Sequence, residues 1–221
     1  MQVKDPNGRP VFTTNGSPVV TADYVPIGNG LSKATGGLNN SFSWHGINLS
    51  FLIDFRIGGT IFSGSNDRLT GWGVSQQSLQ GREGQAPLHV EGVTRTGTGT
   101  TGDPYVYSEL NRDLTPHEAR NYWNSVGGET TAVTNMWLFD ASYGKLRQLT
   151  LGYSLPRTML SKTPFRNVTL SLVGRNLATL WKHIPNVDPE SAYTNQAAGQ
   201  GLEYFAMPTS RSYGFNLALG F

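Results

Sequence analysis

The chain of 221 residues has no cysteine, which excludes a disulfide framework and thiolate metal sites. No run of about 18 apolar residues occurs either, so a membrane-spanning helix is excluded. A membrane β-barrel is not, because its strands alternate and keep mean hydropathy low. Charge is sparse, at 14% of residues and a formal net +2. With no basic cluster, nucleic acid is not expected as a partner. The first ten residues, MQVKDPNGRP, are polar and carry no apolar signal region. There is no GxSxG and no carboxylate pair that spacing supports. His45, His89, His117 and His183 lack metal-ligand spacing. The run Gly97-Thr98-Gly99-Thr100-Thr101-Gly102 fits GxGxxG formally, but it precedes Asp103-Pro104 instead of a helix. A non-enzymatic protein without a cofactor is the expectation.

What is abundant is glycine and aromatic side chains: 27 Gly, 10 Phe, 9 Tyr and 5 Trp, a composition suited to strands and turns. The last stretch, RSYGFNLALGF, alternates strictly. Tyr213, Phe215, Leu217, Leu219 and Phe221 share one parity, against Ser212, Gly214, Asn216, Ala218 and Gly220. It is long enough to cross a bilayer as a tilted strand, which takes about ten residues. A soluble sandwich strand would show the same alternation. Leu38, Phe42 and Trp44 share a parity, and Ile47, Leu49, Phe51, Ile53, Phe55 and Ile57 continue after a flip at His45-Gly46, as a two-residue hairpin turn requires. Further strands follow Leu149, Leu151 and Tyr153, then Val168, Leu170 and Leu172.

Strands are thus expected near 36–44, 47–57, 144–154, 167–176 and 211–221, with long loops over 1–34, 58–136 and 178–210. A small hairpin around Asn15-Gly16 is allowed in the first loop. In the second, Thr115-Pro116-His117-Glu118 reads as a capping box opening a helix to about Asn124. Short turns on one side and long loops on the other are the asymmetry of outer-membrane barrels. Trp44, Tyr153 and Phe221 would share the short-turn rim as an aromatic girdle. About five strands cannot close a barrel, so the chain reads as all-β, a piece of a larger transmembrane sheet.

The segment Asp140 to Pro156, DASYGKLRQLTLGYSLP, resembles a hallmark of TonB-linked outer-membrane proteins of the SusC/RagA type. LVGRNL (172–177), VDPE (187–190) and MPTSRSYGFNLALGF (207–221) resemble the stretches that follow it. Upstream, Ile27-Gly28-Asn29, GGLNN at 36–40 and Phe51-Leu52-Ile53-Asp54 match in the expected order. The resemblance implies a plugged barrel of about 22 strands that imports oligosaccharides or peptides, with energy relayed by the TonB complex. It also implies an outer-membrane location in a Gram-negative bacterium, a SusD-like surface lipoprotein as partner, and insertion by the barrel-assembly machinery. A signal peptide, plug and TonB box are not among these residues, so a C-terminal fragment is expected. Two rivals stand beside this reading: a soluble β-sandwich carbohydrate-binding module, and a surface adhesin barrel without transport.

Phe221, with Leu219 and Tyr213, is the candidate barrel-assembly signal. Asp54, Arg56 and Arg175 fall on the polar parity, as lumen-facing candidates or as partners in cross-strand pairs. Lys145 and Arg147 share parity with Leu149 and Leu151. They would either snorkel toward lipid headgroups or be flipped by a bulge. Trp72, Tyr105, Tyr107, Trp123, Trp181 and Tyr193 fall in the expected outer loops, where they would stack on a glycan, meet the lipoprotein, or pack the loop.

Overall fold

The computed structural model describes residues 1–22, 25–128, 133–191, 193–194, 196 and 199–221. In chain order the elements are β1 (Val11–Phe12), β2 (Ala34–Trp44), β3 (Ile47–Ile57), β4 (Thr60–Ser63), α1 (Gly64–Gly71), β5 (Leu88–Thr96) and β6 (Val106–Leu114). Then come α2 (Pro116–Val126), β7 (Leu138–Asp140), β8 (Tyr143–Ser154), α3 (Arg157–Leu160), β9 (Asn167–Lys182), β10 (Leu202–Glu203) and β11 (Ser212–Gly220). They form two compact units: residues 29–61, 140–201 and 206–221, and residues 1–28, 62–139 and 202–205.

The first of these is a five-stranded antiparallel sheet in the order β11-β9-β8-β3-β2. Its register gathers the apolar parity of every strand on one face. Phe42 opposes Leu49, which opposes Leu151; that residue opposes Leu172, and Leu172 opposes Phe215. Cross-strand neighbours of this kind are the unit of sheet stabilisation. The face nonetheless stays open: Trp44 is 71% exposed, Leu172 61% and Phe215 79%. An apolar face of this extent marks a surface made for something other than water. The opposite face carries Asn48, Ser50, Thr150, Ser171 and Asn216.

The hairpin turn at His45-Gly46 has positive φ at both residues, 46° and 86°, the conformation of a two-residue primed turn. A Cβ at Gly46 would stand 2.8 Å from the Ser154 carbonyl oxygen, so glycine is needed there twice over. At the other end of the sheet, two glycines lie under aromatic rings. The Phe55 ring occupies the place of a Gly36 Cβ, and the Trp181 ring that of a Gly144 Cβ; each pair is directly cross-strand. Such pairs pin strand register.

The second unit is where the sequence reading needs correction. The stretch 58–136, read as irregular apart from the helix opened by Thr115, also holds α1 and the β5–β6 hairpin, and β1 runs parallel to β5. Leu88, Val90 and Leu114 of the hairpin pack with Phe12, Ala119, Trp123, Val126, Val133 and Trp137 into a core of its own. The period was present but short: His89 and Glu91 face out against buried Leu88 and Val90, and Gly92-Val93 then breaks the parity. Glycine and threonine density obscured it. The turn at Asn15-Gly16 closes a small hairpin through Thr13 N to Ser17 O. Helix α2 starts as its capping box requires: Thr115 Oγ1 accepts from Glu118 N, and Glu118 Oε2 accepts from Thr115 N at 3.0 Å.

The stretch expected as a loop from 178 is likewise corrected at its start, because β9 continues to Lys182. The alternation ends at Asn176, where the backbone turns left-handed with φ 52°. Opposite it, the β8–β9 register shifts, so the apolar parity changes without the strand ending.

Candidate functional site

The chemistry in the sheet unit concentrates at the register shift of β8. Leu52 opposes Gln148 and Ile53 opposes Leu146, so Arg147 is the extra residue of a β-bulge. Of the two alternatives for Lys145 and Arg147, the structure has the bulge. It moves both cations off the apolar parity and onto the face of Asp54, which makes snorkelling toward lipid unnecessary.

On that face the two cations meet carboxylates from far along the chain. Lys145 Nζ donates to Asp188 Oδ1 at 2.5 Å, Glu190 Oε2 at 2.7 Å and Thr209 Oγ1 at 3.1 Å. Arg147 donates to Asp54 Oδ2 at 2.8 and 3.0 Å and to both oxygens of Glu190. The Tyr143 hydroxyl donates to Glu190 Oε1 at 3.0 Å. Thr209 donates to Asp188 Oδ2 through its hydroxyl and its N–H. Asn176, the left-handed residue of β9, accepts from Arg147 and donates to the Ser210 carbonyl.

The side chains are largely withdrawn from water: Lys145 is 4% exposed, Asp188 9% and Glu190 18%. Burial would raise the carboxyl of Asp188, but the Lys145 ammonium, the Thr209 hydroxyl and the N–H groups of Glu190 and Thr209 outweigh it and hold it below the usual range. Burial acts the same way on Glu190, and is outweighed by Arg147 and Lys145. Both carboxylates are therefore ionised at neutral pH, and each is matched to a cation. The arrangement fastens residues 188–190 and 209–210 to β8 and β9.

Five separate sequence stretches build this one cluster: Asp54 from FLID, Tyr143, Lys145 and Arg147 from DASYGKLR, Asn176 from LVGRNL, Asp188 and Glu190 from VDPE, and Thr209 from MPTSR. The flanking residues of the first stretch work as well. Ser142 Oγ donates to Asp140 Oδ1 and accepts from Gly58 N at 2.7 Å. From the sequence alone Asp54, Lys145 and Arg147 stand out in this network, and their partners Tyr143, Asn176, Asp188, Glu190 and Thr209 do not. The signal for the two cations was the cost of charged residues inside an alternating strand.

The other sequence candidates lie apart. Arg56 Nη2 donates to the Gly30 carbonyl at 2.9 Å. Arg175 opposes Gln148 and Ser212 beside a concavity of about 520 Å³ on the polar face, lined also by Thr150, Ser171 and Asn216. Tyr213 and Leu219 are exposed on the apolar face, and the Phe221 ring meets Phe165 at 5.2 Å between centroids.

Two outer-loop candidates are corrected. Trp123 is a core residue, 9% exposed, with its indole N–H given to the Gln80 carbonyl. Trp181 lies within β9 and covers Gly144. Tyr105 and Tyr107 flank the β5–β6 tip, where the Arg95 guanidinium lies 4.5 Å from the Tyr105 ring centre. Tyr193 is 65% exposed, and Trp72 58%.

No family model matches the chain. Over 98% of its length it is 25% identical to a TonB-dependent receptor P3 of Formosa agariphila, of which it spans 19%. Among solved structures, it resembles the RagAB peptide importer in its "closed-closed" state, with a TM-score of 0.57 at 19% identity over 94% of this chain and 20% of that one. The "open-open" state gives 0.57 at 18% identity, with the same coverage. The chain thus spans about a fifth of the length of the proteins it matches. The resemblance to TonB-linked outer-membrane proteins carried by the motifs is shown for the chain as a whole, and the fold is that of a segment of their barrel.

Proposed function

We propose that this chain is wall and loop scaffold of a TonB-dependent importer in a bacterial outer membrane, taking up oligosaccharides or peptides. In this reading the open apolar face meets lipid and the polar face lines the lumen. The carrying observation is that face: five strands place their apolar parity on one side, and among the described residues Trp44, Leu172 and Phe215 stay exposed there. A soluble sandwich would lay a second sheet there, about 10 Å away. Asp54, Arg56 and Arg175 then belong to the lumen wall, with Asp54 serving its ion pair with Arg147. Phe221, Leu219 and Tyr213 serve recognition by the barrel-assembly machinery. A SusD-like lipoprotein closes over the long loops, and the TonB complex acts on the remainder of the importer.

The test is uptake by the complete reading frame that contains this segment, expressed in an outer-membrane host with and without TonB. Labelled oligosaccharide or peptide should enter only with TonB. Deletion of Phe221 should abolish the heat-modifiable folded band before it abolishes synthesis. Recovery of the protein in the soluble fraction, or uptake indifferent to TonB, would overturn the reading.

A further inference from the structure

The loop-derived unit contains a pocket that the ion network and the strand sheet do not account for. It measures about 510 Å³, within the range of about 300–1,000 Å³ typical of small-molecule sites. Its floor is Trp123 and Ala119 of α2. Its rim carries Trp72, Arg82, Glu83 and Arg120. Trp72 caps the C-terminal end of α1 and stays largely exposed.

The ring of Trp72 is held, not loose. Phe205 stacks on it at 5.8 Å with 10° between planes. Phe205 itself sits at φ 44°, a left-handed conformation that a bulky side chain rarely adopts. What fixes it is a buried polar chain: its N–H donates to Ser65 Oγ at 2.7 Å, and Ser65 Oγ donates to Glu203 Oε1 at 2.5 Å. Ser63 Oγ donates to the other oxygen of Glu203, whose side chain is fully buried. Backbone strain kept in place by its surroundings points toward function. Here its product is an aromatic plate presented at a pocket mouth. Arg82 is fixed as well, donating to the carbonyls of Ser78 and Gly73.

We propose that this pocket binds a sugar ring, with Trp72 as the stacking plate and Arg82, Glu83 and Arg120 as the hydrogen-bonding rim. The C–H face of a pyranose stacks on an indole, and its hydroxyls both donate and accept. The rim supplies both complements, guanidinium donors and a carboxylate acceptor. An extended peptide is served poorly here. Its recognition by strand addition needs a sheet edge, and the lining comes from α1, α2 and the turns between Gly71 and Glu83. The inference rests on the importer reading and narrows its substrate to saccharide.

The experiment is calorimetry and tryptophan fluorescence on the full chain in detergent micelles. The probes are malto-, cello-, xylo-, manno- and laminari-hexaose, with hexa-alanine as counter-probe. At least one hexasaccharide should bind and perturb the fluorescence. Trp72→Ala should weaken that binding by about tenfold or more, and Trp72→Phe should restore part of it. Arg120→Ala should weaken it several-fold, and Trp181→Ala, in the sheet unit, should leave it unchanged. Since Trp72 and Arg120 are exposed, the far-ultraviolet dichroism of their variants should match the wild type. No binding by any hexasaccharide at 10 mM (about the weakest affinity worth assigning to a site), equal binding by Trp72→Ala, or preference for hexa-alanine would each overturn the sugar site. TonB-dependent uptake of a peptide alongside such a result would leave the importer reading standing without it.

Discussion

Replacing Lys145 by methionine is the perturbation that most directly tests the ion network. Methionine keeps most of the side-chain volume and removes the charge. The ammonium lies 2.5 Å from Asp188 and 2.7 Å from Glu190, on a side chain 4% exposed. Breaking a buried pair by removing one partner costs about 3–5 kcal/mol, because the other charge is left uncompensated. The lower end applies here. Asp188 keeps the Thr209 hydroxyl and two backbone N–H groups, and Glu190 keeps Arg147. A loss of about 3 kcal/mol corresponds to a drop in Tm of about 6–12 °C for a chain of this size, read by circular dichroism in detergent micelles. The variant Lys145→Met with Asp188→Asn and Glu190→Gln should recover at least about 1 kcal/mol, because no buried charge then lacks a partner. A shift under about 2 °C for the single variant would mean that water screens the pair as at a surface, and would refute the reasoning.

The pH dependence of the same melt has a definite sign. Asp188 and Glu190 are held below their ordinary values of 3.8 and 4.5 in the folded chain. Their stabilisation is therefore full above about pH 5 and is lost as pH falls through 4.5 and below. The wild type should lose stability over that interval more steeply than Lys145→Met, which has already lost the main cation facing Asp188.

Three further outcomes follow from local geometry. Thr115→Ala removes the acceptor for Glu118 N and should destabilise α2 by about 1 kcal/mol, seen as faster amide exchange across Pro116–Val126 with the β5–β6 hairpin unchanged. The Glu118 carboxyl is pulled down to about 2, first by Arg112 and then by Thr115, so the protection factors of the α2 amides, with the intrinsic pH dependence of exchange divided out, should fall as pH drops from 4.5 toward 2 and hold steady above 5. Gly144→Ala places a Cβ inside the Trp181 ring and should cost about 1–3 kcal/mol by overpacking, with part returned when Trp181→Ala is added, as contacting residues couple.

How far the sequence foretold these features depends on what sets each one. The wall strands were legible because alternation is dictated by two solvents on two faces, and every residue from Ile47 to Ile57 except Leu52 reports it. The capping box of α2 was legible because its atoms lie within four residues. The hairpin Leu88–Leu114 was not, since its parity breaks at Gly92-Val93 after two apolar positions and its burial comes from α2 and Phe12. Of the three alternatives for Trp123, packing is the one the structure has, and the sequence does not choose it for the same reason. A tryptophan on a short helix within a long connection gives no sign of the core that covers it. The ion network fell between these cases. Its residues were all quoted as motif, but their meeting spans separations up to 93 residues, which no local pattern encodes.

The bulge at Arg147 shows how a single inserted residue reconciles charge with a membrane-type strand. Without it, strict alternation would place Lys145 and Arg147 on the face of Leu149 and Leu151. A lysine or arginine on a lipid-facing position costs about 2–4 kcal/mol near the midplane, less toward the interface. With it, both cations turn to the polar face, and the matching shift at Asn176-Leu177 lets β9 follow, its left-handed Asn176 lending a side chain to Arg147 and Ser210. Asp188, Glu190 and Thr209 then close on the two cations. One irregularity thus accounts for three observations at once: the parity break in β8, the parity break in β9, and the anchoring of the following loop. Deleting Arg147 should therefore do more than remove one ion pair. It would join Leu146 to Gln148 in regular alternation with Lys145 still opposite Asp54, and would leave Asn176 and Leu177 of β9 with no residue of β8 opposite them. Folding yield in detergent should fall below that of Arg147→Gln, which keeps the bulge. Equal yields from the two variants would show that the charges, and not the extra residue, hold the register.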